Sequence, residues 1–267
     1  MNIVRNLVQV PLLTIQVALA LLALFEGGRK WVERLLAGFG FNRNFRAARW
    51  LVISAVVLAL ALGARLSLPL AARYYNNRAA RAVERRDITA AVYDYRRALS
   101  FDADYAQARY GLAVAYEDLH KYDEAIDEYS KAIILDFQFL QAHNNLARLL
   151  LKRGENKDYH NALQVLNNAL DHSPRDEYLE YSLYKNRGWA NYELKNYQQA
   201  ENDLRAAVTR RKDGAAAHCL LGYLLEAQGK RGAEDEWFDC VAYTPGQETE
   251  VEASWFSYAQ EKMRERG

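Results

Sequence analysis

The sequence predicts an all-α chain. It is read as a solenoid of about five stacked helix pairs, closed by a C-terminal capping helix and preceded by a two-helix transmembrane hairpin. Three observations predict this. From Ala72 onward, small and large apolar residues recur with a period of about 34 residues. Two long uncharged apolar runs lie ahead of that point. Charge is divided the same way, with eight Lys/Arg against two Asp/Glu up to Ala71 and 27 against 32 beyond it.

The first element is Leu7–Phe25, 19 residues without a charge. As a helix it nearly spans a hydrocarbon core of about 30 Å. The alternative is a cleaved signal peptide, for which Ala18 and Ala20 offer a weak site. The second run, Leu51–Ala64, reaches Leu70 if Arg65 snorkels to the headgroups; its alternative is a buried core helix. Transmembrane helices are therefore expected at about 7–25 and 50–70, within an anchor of residues 1–71.

The intervening loop, 26–49, interleaves Arg29, Lys30, Arg34, Arg43, Arg46 and Arg49 with Trp31, Phe39, Phe41 and Phe45. That composition suits interfacial anchors or an anionic lipid surface. Gln9 and Gln16, seven apart, offer hydrogen bonds to other transmembrane helices. The loop's six bases favour a cytoplasmic loop and repeats on the periplasmic side of a bacterial inner membrane. The bases Arg65, Arg73, Arg78 and Arg81 pull toward cytoplasmic repeats, so both orientations stay open.

The repeat shows best in Tyr105–Asp136. Leu112, Ala113 and Tyr116 share one helix face, and Ala125, Tyr129 and Ala132 share another. The polar segment Leu119–Asp123 breaks between them. Small residues permit close helix approach and large ones fill around it. The pattern resembles the tetratricopeptide repeat, with Arg109 in place of the first-helix Trp and Phe137 in place of the closing Pro. Related units run at about 72–105 (Ala79, Ala91, Tyr95, Ala98), 140–176 (Leu146, Ala147, Ala162, Leu166, Ala169), 181–214 (Gly188, Tyr197, Ala200, Leu204, Ala207) and 215–247 (Leu221, Gly222, Ala233, Trp237, Cys240). The third needs about three extra residues, expected in its turn at 155–158. The fifth is one residue short, also expected in its turn. Residues 248–267 carry Val251, Trp255, Tyr258 and Met263 among charges and are expected to form the capping helix. The resemblance covers about three quarters of the chain.

A net-acidic solenoid lacks the basic stripe of a nucleic-acid surface. Cys219 and Cys240 fall in the two helices of one repeat. Buried free thiols are the simpler reading, and a disulfide the reading for an oxidising space. His120, His143, His160, His172 and His218 are scattered without metal-type spacing, and no phosphate loop or nucleophile elbow occurs. No catalytic residue, cofactor or metal is expected.

The resemblance implies that the first helix of each pair lines a concave groove for a protein partner, as an extended peptide or a helix. The residues it places there are Asn76, Tyr110, Asn144, Arg148, Lys185, Asn186, Trp189, Tyr192 and Tyr223. Asn can pair with a peptide backbone, Arg and Lys with a carboxylate, and flat aromatic rings supply anchors. The family's clamp for chaperone tails is not matched, because Ala216 and Leu220 stand where bases are needed. The expected function is a membrane-anchored scaffold that assembles or recruits a membrane-associated complex. The alternatives are a structural accessory subunit held by its transmembrane helices, and a non-catalytic regulator.

Overall fold

The computed structural model describes residue 34 and residues 46–172, 176–243 and 250–265. The expected first span, and all of its loop but residue 34 and residues 46–49, lie outside these. The chain divides into two compact units, Met1–Tyr74 and Tyr75–Gly267.

The first of the helices is α1 (Arg46–Glu84), 39 residues with Pro69 inside it, whose residues up to Tyr74 belong to the first unit and the rest to the second. The sequence reading separates a span ending at Leu70 from a repeat helix starting near Ala72. The helix has no break there. Residues 71–84 are rich in Ala and Arg, strong helix formers with nothing to stop propagation. Val56, Val57 and Leu70 are at least half exposed on α1. Over the described residues no helix is long and apolar enough to cross a membrane. Most side chains of 51–66 are outside that description.

The second unit is an array of antiparallel pairs. After the end of α1 come α2 (Ile88–Phe101), α3 (Ala106–Asp118), α4 (Tyr122–Leu135), α5 (Leu140–Arg153) and α6 (Asn156–Asp171). Then follow α7 (Glu177–Glu193), α8 (Tyr197–Arg210), α9 (Ala215–Ala227), α10 (Ala233–Tyr243) and α11 (Glu250–Arg264). From α2 to α11 each helix packs on the next, α7 also packs on α5 and on α9, and α11 also packs on α9.

The periodic small residues sit where helices approach most closely. Ala79, Ala91, Ala98, Ala113, Ala125, Ala132, Ala147, Ala162 and Ala169 are all fully buried. In the last two pairs, glycine takes the first of these places. A Cβ on Gly188 would lie 2.7 Å from Leu204 Cγ, and one on Gly222 would lie 2.4 Å from the Trp237 ring. The large residues fill around the contact, with Tyr129, Leu166, Leu204 and Trp237 at most 1 % exposed. Each such burial is worth roughly 1.5–3 kcal/mol.

Every turn within a pair uses a left-handed residue: Arg86, His120, Gly154, Lys195 and Gly229, with φ between 56° and 78°. In the turn after α7, Lys195 N–H donates to Tyr192 O (2.9 Å) and Asn196 N–H to Asn191 O (2.8 Å), a Schellman closure. The turns at Arg86, His120 and Gly229 close the same way.

The departures from sequence spacing resolve differently than expected. The third repeat's extra residues do not lengthen its turn. Gly154 stops α5, and α6 restarts two residues later with 16 residues. Arg153 holds Asp158 there with two bonds of 2.7 Å. In the fifth repeat the turn is not the shorter part: residues 228–232 separate α9 from α10, which starts only at Ala233. Helix α7 begins four residues ahead of Tyr181, because Asp176 accepts from the Tyr178 (2.9 Å) and Leu179 N–H groups. Cys219 and Cys240 are joined in a disulfide between α9 and α10, with Cα atoms 5.0 Å apart, rather than left as free thiols. Cys240 stands where other pairs place a buried Ala, so the helix contact brings the two sulfurs together.

One electrostatic pattern repeats as well. The second helices carry an acid at a common place, and it meets a cation from the first helix of its own pair. Asp94 is paired with Arg78. Glu128 meets Arg109 at 2.9 Å, Asp203 meets Arg187 at 2.6 Å, and Glu236 meets His218 at 2.7 Å. In the second and fifth pairs the cation replaces the first-helix aromatic usual for this repeat.

A candidate protein-binding surface on the first helices

The first helices bring four of the expected residues into one polar network. Glu117 on α3 accepts from Tyr129 Oη (3.3 Å) and pairs with Arg148 on α5. Asn145 Nδ2 donates to Tyr110 Oη (3.3 Å) and Tyr129 Oη (3.2 Å). Asn144 donates to Asn145 Oδ1 (3.3 Å) and accepts from Asn186 Nδ2 on α7 (2.9 Å). Tyr110, Asn144, Arg148 and Asn186 thus act together. Sequence reasoning assigned Tyr129 to the core alone. Its ring is fully buried, but its hydroxyl links the first helices, which apolar periodicity does not reveal.

Burial, with the nearby Glu117 charge, pushes the Tyr129 phenol far above its usual range. Tyr110 is raised too, again mainly by burial. Both stay neutral hydroxyls. Asn186 is 1 % exposed and its Oδ1 has no hydrogen-bond partner. A buried carbonyl without a donor costs about 1–3 kcal/mol.

The other expected residues lie elsewhere. Asn76 is buried on α1, its Oδ1 also without a partner. Lys185 is buried on α7. Tyr192 is half-buried with its ring 6.2 Å from Tyr197, and burial raises its pKa. Trp189 and Tyr223 are not open anchors, because α11 covers both. The Trp255 ring edge meets Trp189 at 4.8 Å, and Tyr258 stacks on Tyr223 at 4.4 Å. Trp189 is 7 % exposed and donates from Nε1 to Glu193 (3.1 Å). Burial, with Tyr258 close by, pushes the Tyr223 phenol up to about 12.

Two histidines at one place in their repeats behave oppositely. Burial pulls His143 down, and the Phe139 carbonyl and the Asp136 charge oppose it without overcoming it. Burial also acts to lower His218, but Glu236 at Nδ1 (2.7 Å), the Lys212 carbonyl at Nε2 (2.9 Å) and the nearby Asp239 outweigh it and raise its pKa. With acceptors at both ring nitrogens, the imidazolium is the form that fits. Among the described residues, no group of three His, Cys, Asp or Glu is placed to hold a metal ion.

Comparison with known proteins agrees with this geometry. The family model "TPR repeat" matches residues 83–120, and "Tetratricopeptide repeat" matches residues 106–139. A DnaJ homolog subfamily C member 7 homolog of Dictyostelium discoideum is 26 % identical over 182 residues, 67 % of this chain. The chain spans only 32 % of that relative's length. Among solved structures, PilF of Pseudomonas aeruginosa superposes with a TM-score of 0.58 at 19 % identity, over 75 % of this chain and 87 % of that one. YrrB, described as a TPR protein with an unusual peptide-binding site, gives 0.55 at 19 %, over 70 % and 90 %. The helix pairs, their left-handed turns and these matches lead to one conclusion: residues 83–139 are tetratricopeptide-repeat sequence, and the helical array has the tetratricopeptide-repeat fold.

Proposed function

We propose that this chain is a non-catalytic, membrane-anchored adaptor that holds a protein segment along its first helices and so recruits it to a membrane-associated complex. The observation that carries the binding role is the network of Tyr110, Asn144, Asn145, Arg148 and Asn186, which joins the first helices α3, α5 and α7 in one row of polar side chains. Amide side chains in a row can pair with the alternating donors and acceptors of a peptide backbone. Support by likeness comes from the fold it shares with a protein described as peptide-binding. The anchor rests on the uncharged runs at 7–25 and 51–64 and on the exposed valines of α1.

The binding role is tested by affinity capture from detergent extracts with the full chain and with Asn144→Ala plus Asn186→Ala. Partners should be lost from the double variant while its melting temperature stays within a few degrees. An unchanged set of partners would remove the role of the network. C-terminal fusions to alkaline phosphatase and to a fluorescent protein report which side of the membrane holds the repeats. The structural-subunit reading makes a separate demand: a chain cut after residue 71 should remain in the complex.

A further inference from the structure

The contacts of α11 fall on one helical stripe: Trp255, Tyr258, Ala259 and Lys262, spaced i, i+3, i+4 and i+7. A helix that only sealed the end of the array would cover α9 and α10, as α7 covers α5 and α6, and would not reach back to α7. This one also lays its two aromatic rings on first-helix residues, Trp255 against Trp189 of α7 and Tyr258 against Tyr223 of α9. Glu226 fixes the register by accepting from Tyr258 Oη (2.6 Å) and from Lys262 Nζ (3.3 Å). Trp189 is three residues from Asn186, so the two share a face of α7. The patch under α11 is therefore continuous with the polar network. A ligand that runs along the network and reaches past Asn186 meets Trp255.

We infer that α11 is an exchangeable occupant of the α7–α9 face, and that this face takes a partner's amphipathic helix bearing two aromatic residues three apart and a lysine four further on. The inference rests on the adaptor reading and names its ligand chemistry. The aromatic pair fills the Trp189 and Tyr223 positions, and the phenol and ammonium satisfy Glu226. In the absence of a partner, α11 supplies the same groups in cis and keeps the aromatic patch from water.

The test uses a fluorescein-labelled peptide of the α11 sequence, residues 250–264, added to the full chain and followed by anisotropy. The unaltered chain, its own helix in place, should bind it weakly. The chain with Trp255→Ala plus Tyr258→Ala should bind it at least tenfold more tightly. Glu226→Gln in that background should weaken binding several-fold, and a peptide carrying the same two alanines should not bind. Equal affinity of the altered and unaltered chains would overturn the proposal. If the double variant loses its helical circular dichroism, a protease site placed within 244–249 and cut after folding replaces it. Uptake of the peptide by the cut chain then supports exchange, and no uptake refutes it. The adaptor reading is judged separately by the loss of partners on changing Asn144 and Asn186, residues outside the α11 contacts described above, so either idea can fail alone.

Discussion

Changing Asp203 to alanine tests whether the acid–cation pairs help hold the helix pairs together. Asp203 is 5 % exposed and accepts from Arg187 Nε (3.0 Å) and Nη2 (2.6 Å) and from Asn191 Nδ2 (3.0 Å). Removing one partner from a buried ion pair costs about 3–5 kcal/mol when the other charge is left in the interior. The Arg187 side chain is 23 % exposed, has a second acceptor in Asn167 Oδ1 (3.2 Å) and packs on the Tyr184 ring. Part of its charge therefore stays solvated, and the expected loss falls to roughly 2–3 kcal/mol. For a domain of this size that lowers the melting temperature by roughly 4–10 °C. The third repeat solves the same contact without charge, placing Leu146 and Val165 where the fourth has Arg187 and Asp203. Arg187→Leu with Asp203→Val should accordingly return to within about 1.5 kcal/mol of the parent. Thermal melts of the full chain and both variants, followed by circular dichroism, decide it. If Asp203→Ala melts within a degree of the parent, or the double variant is as unstable as the single one, the pair does not help hold α7 and α8 together.

The left-handed turns predict that Lys195→Gly stabilises by about 0.5–1 kcal/mol and Gly229→Ala destabilises by about 1 kcal/mol, read from denaturant midpoints. Gly222→Ala gains helix propensity worth about 1 kcal/mol but drives a methyl into the buried Trp237 ring; a net loss is expected, with the Trp237 fluorescence environment altered, and a stabilised variant would contradict the packing. His218 has a raised folded-state pKa, so its contribution is complete below its unfolded value near 6.5 and disappears as pH rises through the folded value. The melting-temperature difference between the parent and His218→Gln should therefore shrink from about pH 5.5 to about pH 8.5, and a constant difference would rule out that linkage. The disulfide closes a loop with a sequence separation of 21, so a reductant should lower stability by about 3 kcal/mol, while Cys240→Ala should become insensitive to it.

The array was legible in the sequence because its packing is local. A small residue at Ala113, Ala125 and Ala132, repeated unit after unit, needs only helical periodicity to be recognised as a seam. The same logic found Cys240 in an alanine's place and the capping stripe of Trp255 and Tyr258. Register within helices was less legible. The N-cap at Asp176 and the continuation of α1 through residue 71 depend on single hydrogen bonds and on the absence of a stop, both weaker signals than a repeated apolar face.

What the sequence determined by itself, then, is the repeat and the residue types along the first helices, since both follow from spacing along one chain. Tertiary structure alone decided which of those side chains work together. Trp189 looks like a free anchor until a helix 66 residues downstream places Trp255 against it. Asn144 and Asn186 become one site only because α5 and α7 pack side by side, 42 residues apart in sequence. Contacts between distant segments are set by how the stacked pairs close on one another, and no local period in the chain encodes that distance.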